Sequence, residues 1–185
     1  MEVFFVIRRM YVKIKYMNKI LIIGISGAGK STFAKKLSEK LTIQIIHLDQ
    51  FFFEPGWIKV EKSLFEKKVL ERIKTAQWII DGNYTNSMEL WIKDADTIFY
   101  FDFPVWRCLW SVICRRIIFH GQKRSDVAKG CNEVLNLKFL KFIWNFPKNN
   151  TPKIESILTK QPKEKKIVRF KNYKEIELFL KNIST

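Results

Sequence analysis

Glycines, a lysine and a hydroxyl recur at fixed intervals in Gly24-Ile25-Ser26-Gly27-Ala28-Gly29-Lys30-Ser31, which fits G-x-x-x-x-G-K-[ST]. The chemistry such a set can do is anion binding. Glycines let the backbone turn sharply and aim several N–H groups inward, making a nest for phosphate at a helix N-terminus. Lys30 can then reach β- and γ-phosphates, and the Ser31 hydroxyl can ligate Mg²⁺. Gly24, Ser26, Gly27, Ala28, Gly29, Lys30, Ser31 and Thr32 are the expected nucleotide-binding residues. The alternative is a Gly-rich turn that matches by accident. The apolar run Ile20–Ile23 before the loop reads as a buried strand, and Phe33, Ala34, Leu37 and Leu41 after it mark one helix face, so the phosphate reading is preferred.

Three carboxylates and a set of arginines could complete a phosphoryl-transfer site. Trp78-Ile79-Ile80-Asp81-Gly82 has the form of a strand whose terminal aspartate holds Mg²⁺; the other reading is turn chemistry in Asp81-Gly82-Asn83. Asp49 ends a second strand-like run and could accept the proton of an acceptor hydroxyl or orient it; otherwise it caps a helix or loop. His47 lies within that apolar run and reads as a satisfied core histidine. Beyond Asp102, the first-turn proline Pro104 opens a helix with Arg107, Ser111 and Arg115 at four-residue spacing, and Arg116 nearby. Its apolar face is expected to be Trp106, Leu109, Trp110, Ile113 and Ile117. The polar loop Gly121–Asp126, with Arg124, follows. A helix with an arginine side leading into a basic loop suits a phosphate-closing lid around residues 115–130, in which Arg115, Arg116 and Arg124 clamp oxyanions. A merely solvated basic face is the competing account.

The elements that must position these residues alternate. Strand-like runs at Ile20–Ile23, Ile43–Leu48, Trp78–Ile80, Ile98–Phe101 and Lys166–Phe170 are separated by helical patterns. The last helix has Asn172 and Glu175 placed as a capping box. Such alternation specifies an α/β fold with a parallel sheet covered on both faces, and ligands then sit beyond the carboxyl ends of the strands. The phosphate loop, Asp49, Asp81 and Asp102 should gather along that edge. The first 17 residues do not fit the pattern. They are read as an N-terminal extension, disordered or an over-long start ahead of Met17, with the domain in residues 18–185.

With 185 residues the chain suits one domain with a full core. No apolar stretch approaches the ~18 residues of a membrane span. Cys108, Cys114 and Cys131 are odd in number and lack CxxC spacing, which favours a reducing cytoplasm over a disulfide framework or zinc. The net charge is +16. It fits either nucleic-acid binding through phosphate neutralisation, or a lysine-rich bias plus a polyphosphate pocket. Residues 107–148 are especially basic, with nine lysines and arginines facing Asp126 and Glu133 alone. Phe51, Phe52, Phe53, Trp57 and Tyr84 make either core or an aromatic acceptor pocket. The stripe Leu135, Phe139, Phe142, Ile143 and Phe146 makes a packing face or a dimer surface.

From about Lys19 to Leu180 the chain resembles the adenylate-kinase-like P-loop kinases, and within them the bacterial proteins known as DNA topology modulation proteins. The marks are Gly24–Thr32, His47-Leu48-Asp49 with Pro55-Gly56-Trp57, Trp78–Tyr84, Asp102-Phe103-Pro104 and Trp144–Lys148. The resemblance implies a three-layer P-loop NTPase sandwich, with a five-stranded parallel sheet in the order 2-3-1-4-5. It also implies an ATP-like donor and a lid after the fourth strand. Arg115 falls at the position of a phosphate-contacting arginine. Those kinases carry an adenine-packing arginine where this chain has Ser111, and the acceptor region lacks their clamps for a nucleoside monophosphate.

Two functions follow as expectations. One is a cytoplasmic kinase moving the γ-phosphoryl of ATP or another nucleoside triphosphate, with Mg²⁺, to a small-molecule acceptor; Lys30, Asp49, Arg115, Arg116 and Arg124 are its catalytic residues, and Ser31 and Asp81 its metal ligands. The other is a nucleotide-dependent regulator or DNA-binding protein, although no helix-turn-helix, zinc-finger or RRM signature accompanies the charge.

Overall fold

A computed structural model of the protein describes residues 17–118, 128, 130–131 and 136–183. Among these the order is β1 (Lys19–Gly24), α1 (Lys30–Leu41), β2 (Ile45–His47), α2 (Asp49–Phe52), β3 (Phe53–Glu54), β4 (Ile58–Lys59), α3 (Lys62–Arg72) and β5 (Trp78–Asp81). There follow α4 (Glu89–Ile92), β6 (Thr97–Phe101), α5 (Val105–Ile118), α6 (Leu137–Asn149), α7 (Thr151–Thr159), β7 (Lys166–Phe170) and α8 (Tyr173–Asn182).

The main sheet is five-stranded in the order β2-β5-β1-β6-β7, and every pair is parallel. Counting only its own strands, this is 2-3-1-4-5, with helices on both faces. The central strands are apolar throughout, as burial on two sides requires: Ile20 to Ile23 in β1 and Ile98 to Phe101 in β6 are all buried. Phe33 of α1 is the hub on one face. Its ring lies 4.9 Å from Phe99, 5.4 Å from Phe101, 5.5 Å from Phe170 and 6.0 Å from Phe179, tying α1 to β6, β7 and α8. The capping box forms: Glu175 N–H donates to Asn172 Oδ1 at 3.1 Å, and Glu175 in turn accepts from the Asn172 amide at 2.8 Å and from Lys171 N–H at 2.7 Å.

The structure departs from the sequence reading in several places. β2 is shorter than Ile43–Leu48, and Asp49 opens the short helix α2 instead of ending a strand. A two-stranded hairpin, β3–β4, turns at Pro55-Gly56-Trp57, where Gly56 has φ 78° and Trp57 φ 64°. Met17, grouped above with the N-terminal extension, is buried in the core; residues 1–16 lie outside the described residues. The largest correction concerns α5. Its buried residues are Cys108 and Val112, whereas Trp106 and Trp110 stay 69% and 66% exposed. The cause is the phosphate loop beneath: a Cβ on Gly27 would stand 2.5 Å from the Cys108 carbonyl oxygen, so only a narrow helix edge fits there.

Candidate functional site

The phosphate loop connects β1 to α1 across the middle of the sheet's carboxyl edge. Gly24, Gly27 and Gly29 have φ of 131°, 88° and 89°. At Gly24 a side chain is excluded outright, since its Cβ would come within 2.3 Å of the Phe101 carbonyl oxygen. Ala28 is fully buried, Ser26 half-buried and Thr32 exposed. Gly29 is the N-cap of α1 and provides no side-chain hydrogen bond, so the helix's first amides are left to an anion. The loop has a roof from the other end of the chain. Tyr173, first residue of α8, donates its hydroxyl to the Gly27 carbonyl at 3.5 Å and lies 3.3 Å from Ser111 Oγ. The Arg107 guanidinium stacks on the Tyr173 ring at 4.8 Å.

Lys30 folds back on the loop and donates to the Ile25 carbonyl at 2.9 Å. Burial holds its ammonium below the ordinary lysine range; Asp81, then Asp49, oppose the shift, and the Arg115 charge adds to it. Lys30, Asp49, Asp81 and Arg115, which the sequence separates by up to 85 positions, therefore share one electrostatic neighbourhood. Arg116 sits on the last turn of α5. Arg124 lies outside the described residues.

Asp81, at the end of β5, is buried and receives His47 Nδ1 at 3.0 Å from the neighbouring strand. His47 is thus satisfied, as expected, but by the carboxylate of the site. Asp49 lies across the edge from there and accepts the Tyr84 hydroxyl at 2.5 Å. Burial, followed by the Asp49 charge, pushes the Tyr84 phenol well above its usual range, so it remains a donor. Tyr84 in turn packs on Phe52 at 4.6 Å and Phe65 at 5.0 Å, and Phe53 meets Trp57 at 5.1 Å. Phe52, Phe53, Trp57 and Tyr84 thus form one chain of ring contacts, with Phe51, Phe52 and Tyr84 half-buried against the core. Asp102, expected at the same edge, is engaged by Arg169 Nη1 at 3.1 Å.

Sequence reasoning missed Asn83 and Tyr173. Both polar atoms of the Asn83 side chain are buried without a hydrogen-bond partner, between Asp81 and the Tyr84–Asp49 pair in the chain. Its place in a turn-like Asp-Gly-Asn triplet concealed it. The hairpin beside this region is fastened to the segment that returns from the polar loop: Gly56 N–H donates to the Gly130 carbonyl at 3.2 Å and Cys131 Sγ to the Glu54 carbonyl at 3.2 Å.

For a metal, the described residues contain no cluster of three His, Cys, Asp or Glu side chains. The oxygens of Ser31 and Asp81 suit a hard cation that takes the rest of its shell from water and substrate phosphates, which is how Mg²⁺ is generally held.

No protein-family model matches the chain, so the resemblance to DNA topology modulation proteins rests on its motifs alone. A stretch of 52 residues is 38% identical to shikimate kinase of Sulfurihydrogenibium sp. (strain YO3AOP1), spanning 28% of this chain and 31% of that one. In three dimensions the chain is similar to shikimate kinase from Bacteroides thetaiotaomicron, with TM-score 0.54 at 17% identity, over 90% of this chain and 96% of that one. It is also similar to deoxyadenosine kinase from M. mycoides, solved with the products dCMP and a flexible dCDP bound, with TM-score 0.51 at 14% identity, over 89% and 98%. The parallel sheet in this order, with a glycine loop after its first strand, is a P-loop kinase-like fold.

Proposed function

We propose that the protein is a kinase that moves the γ-phosphoryl group of ATP, or a related nucleoside triphosphate, to a hydroxyl of a small molecule. The observation that carries this reading is the glycine loop of a P-loop kinase-like fold whose buried Lys30 feels the charges of Asp81, Asp49 and Arg115. The triphosphate lies on the loop amides, with Lys30 leaving the Ile25 carbonyl for its β- and γ-oxygens. Ser31 and Asp81 would hold Mg²⁺, which would supply charge neutralisation at those oxygens. Asp49, aligned by Tyr84, takes the acceptor's proton as its oxygen bonds to the γ-phosphorus. The bond from phosphorus to the β,γ-bridging oxygen breaks, the diphosphate departs, and Arg115 offsets the charge that develops. Asn83 supplies a donor and an acceptor beside this centre, matching a substrate with a second polar group near the reacting hydroxyl.

The test is phosphoryl transfer from ATP with Mg²⁺ to a panel of neutral polyols, nucleosides and carboxylated alcohols. Lys30→Ala should lower turnover by about 10²–10³-fold while leaving the folded state intact. Unchanged turnover in that variant, or no thermal protection by ATP or GTP with Mg²⁺, overturns the reading. The net charge of +16 favours a second reading, a nucleotide-dependent regulator that binds DNA. A salt dependence of DNA affinity corresponding to only ~1–2 neutralised phosphates would dispose of it.

A further inference from the structure

Large apolar side chains stand in water on two neighbouring helices that the catalytic reading leaves unused. α5 turns Cys108 and Val112 inward and leaves Trp106, Trp110 and Ile117 69%, 66% and 71% exposed. α6 packs against α5, buries Ile143 and Phe146, and leaves Leu137 and Trp144 84% and 66% exposed. Single exposed apolar residues need no explanation, but outward stripes on adjacent helices mark an interaction surface. On α6 the stripe alternates in kind: Leu137, Lys141, Trp144 and Lys148 follow at intervals of four, three and four, which places them along one side.

We propose that the exposed stripes of α5 and α6 dock on an anionic lipid bilayer. Tryptophan sits readily at the headgroup level, aliphatic side chains enter the acyl boundary, and lysines extend their ammonium groups to anionic headgroups from an apolar stem. The net charge of +16 complements such a surface. It opposes a second copy of the same chain, which would bring like charges together. Stacking on nucleic-acid bases would use the tryptophans but has no role for Ile117 and Leu137, which have no aromatic face. No helix of the described residues is long and apolar enough to cross a membrane; the contact proposed is with the bilayer surface. The proposal is independent of the phosphoryl-transfer reading.

The full-length protein is sedimented with vesicles of phosphatidylcholine alone and of equimolar phosphatidylcholine and phosphatidylglycerol, while tryptophan emission is recorded. Binding to the anionic vesicles with a blue shift, and little binding to the neutral ones, is expected. The combined variant Trp106→Gln, Trp110→Gln, Trp144→Gln should partition about tenfold less or worse, with its ATP-induced thermal protection unchanged. Lys141→Gln with Lys148→Gln should weaken partitioning about 25-fold. Absence of binding, equal binding to both vesicle types, or undiminished binding by the tryptophan variant overturns the proposal. So does displacement from vesicles by single-stranded DNA with the same tryptophan dependence, or a dimer in sedimentation velocity that the tryptophan variant abolishes.

Discussion

His47 and Asp81 stand opposite each other in register on the parallel strands β2 and β5, and His47 Nδ1 donates to Asp81 Oδ2 across 3.0 Å. One carboxylate oxygen is thereby fixed, and the Leu48 N–H donates to the Asp81 carbonyl at 2.9 Å, holding the strand end itself. An imidazole that orients a metal-binding carboxylate acts through its partner. His47→Ala is therefore expected to raise the Mg²⁺ concentration that half-saturates turnover by about 10–100-fold, with ATP affinity in the absence of metal unchanged. A Mg²⁺ titration of initial rates checks it; an unaltered half-saturation shows that the pair is structural only.

Nucleotide binding should take up protons in mildly alkaline buffer. The Lys30 ammonium of the free protein is held below the ordinary 10.5 because burial strips its water. Triphosphate oxygens favour the charged form and raise it again. The sign for stability is fixed likewise: the unfolded chain binds the proton more tightly, so without nucleotide the Lys30 contribution improves as pH rises through the window between its folded value and 10.5. Calorimetry of ATP binding over a pH series rising towards 10.5, in two buffers of different ionisation enthalpy, reads the uptake directly. Release of protons, or no difference between buffers, contradicts the placement of Lys30 against the phosphates.

Asn83 carries an unusual expectation. Truncating a hydrogen-bonded buried amide normally costs about 1–3 kcal/mol, because its partner is left alone. Asn83 has no such partner, so Asn83→Ala should keep or raise the unfolding midpoint. Once the acceptor panel yields a substrate, its KM should rise about tenfold or more while the KM for ATP stays put. A destabilised variant with normal kinetics would mean that the amide serves the fold.

Phe33→Ala tests what positions the loop. The ring touches four aromatic neighbours on β6, β7 and α8 and is 1% exposed, so its removal should cost about 3–5 kcal/mol by urea denaturation. A loss below ~1 kcal/mol would show that α1 is held in place by other contacts.

The glycine-loop half of the candidate site was legible because it is local. Gly24 to Thr32 are contiguous, and their strand and helix flanks announce themselves by apolar run and period. Asp81 could be read for the same reason, at the end of Trp78–Ile80. The acceptor half was harder. A four-residue helix from Asp49 and two-residue strands at Phe53 and Ile58 are shorter than any periodicity can report. The sequence also pointed the wrong side of α5 inward: Trp106, Leu109, Trp110, Ile113 and Ile117 form an apolar stripe of which only Leu109 packs half-buried against the core, while Cys108 and Val112 are the residues that lie against Gly27. Hydrophobic patterning states which face is apolar, not whether the neighbour has room for it. The pairing of Tyr173 with Gly27, across 146 positions, left no trace in either local segment.

That last contact sets an order of events during synthesis. The glycine loop leaves the ribosome early, but the strand that flanks Asp102 and the tyrosine that roofs the loop emerge only with β7 and α8. A nascent chain thus carries its glycine loop without the Tyr173 roof until α8 emerges. Its roof is in place only once α8 docks.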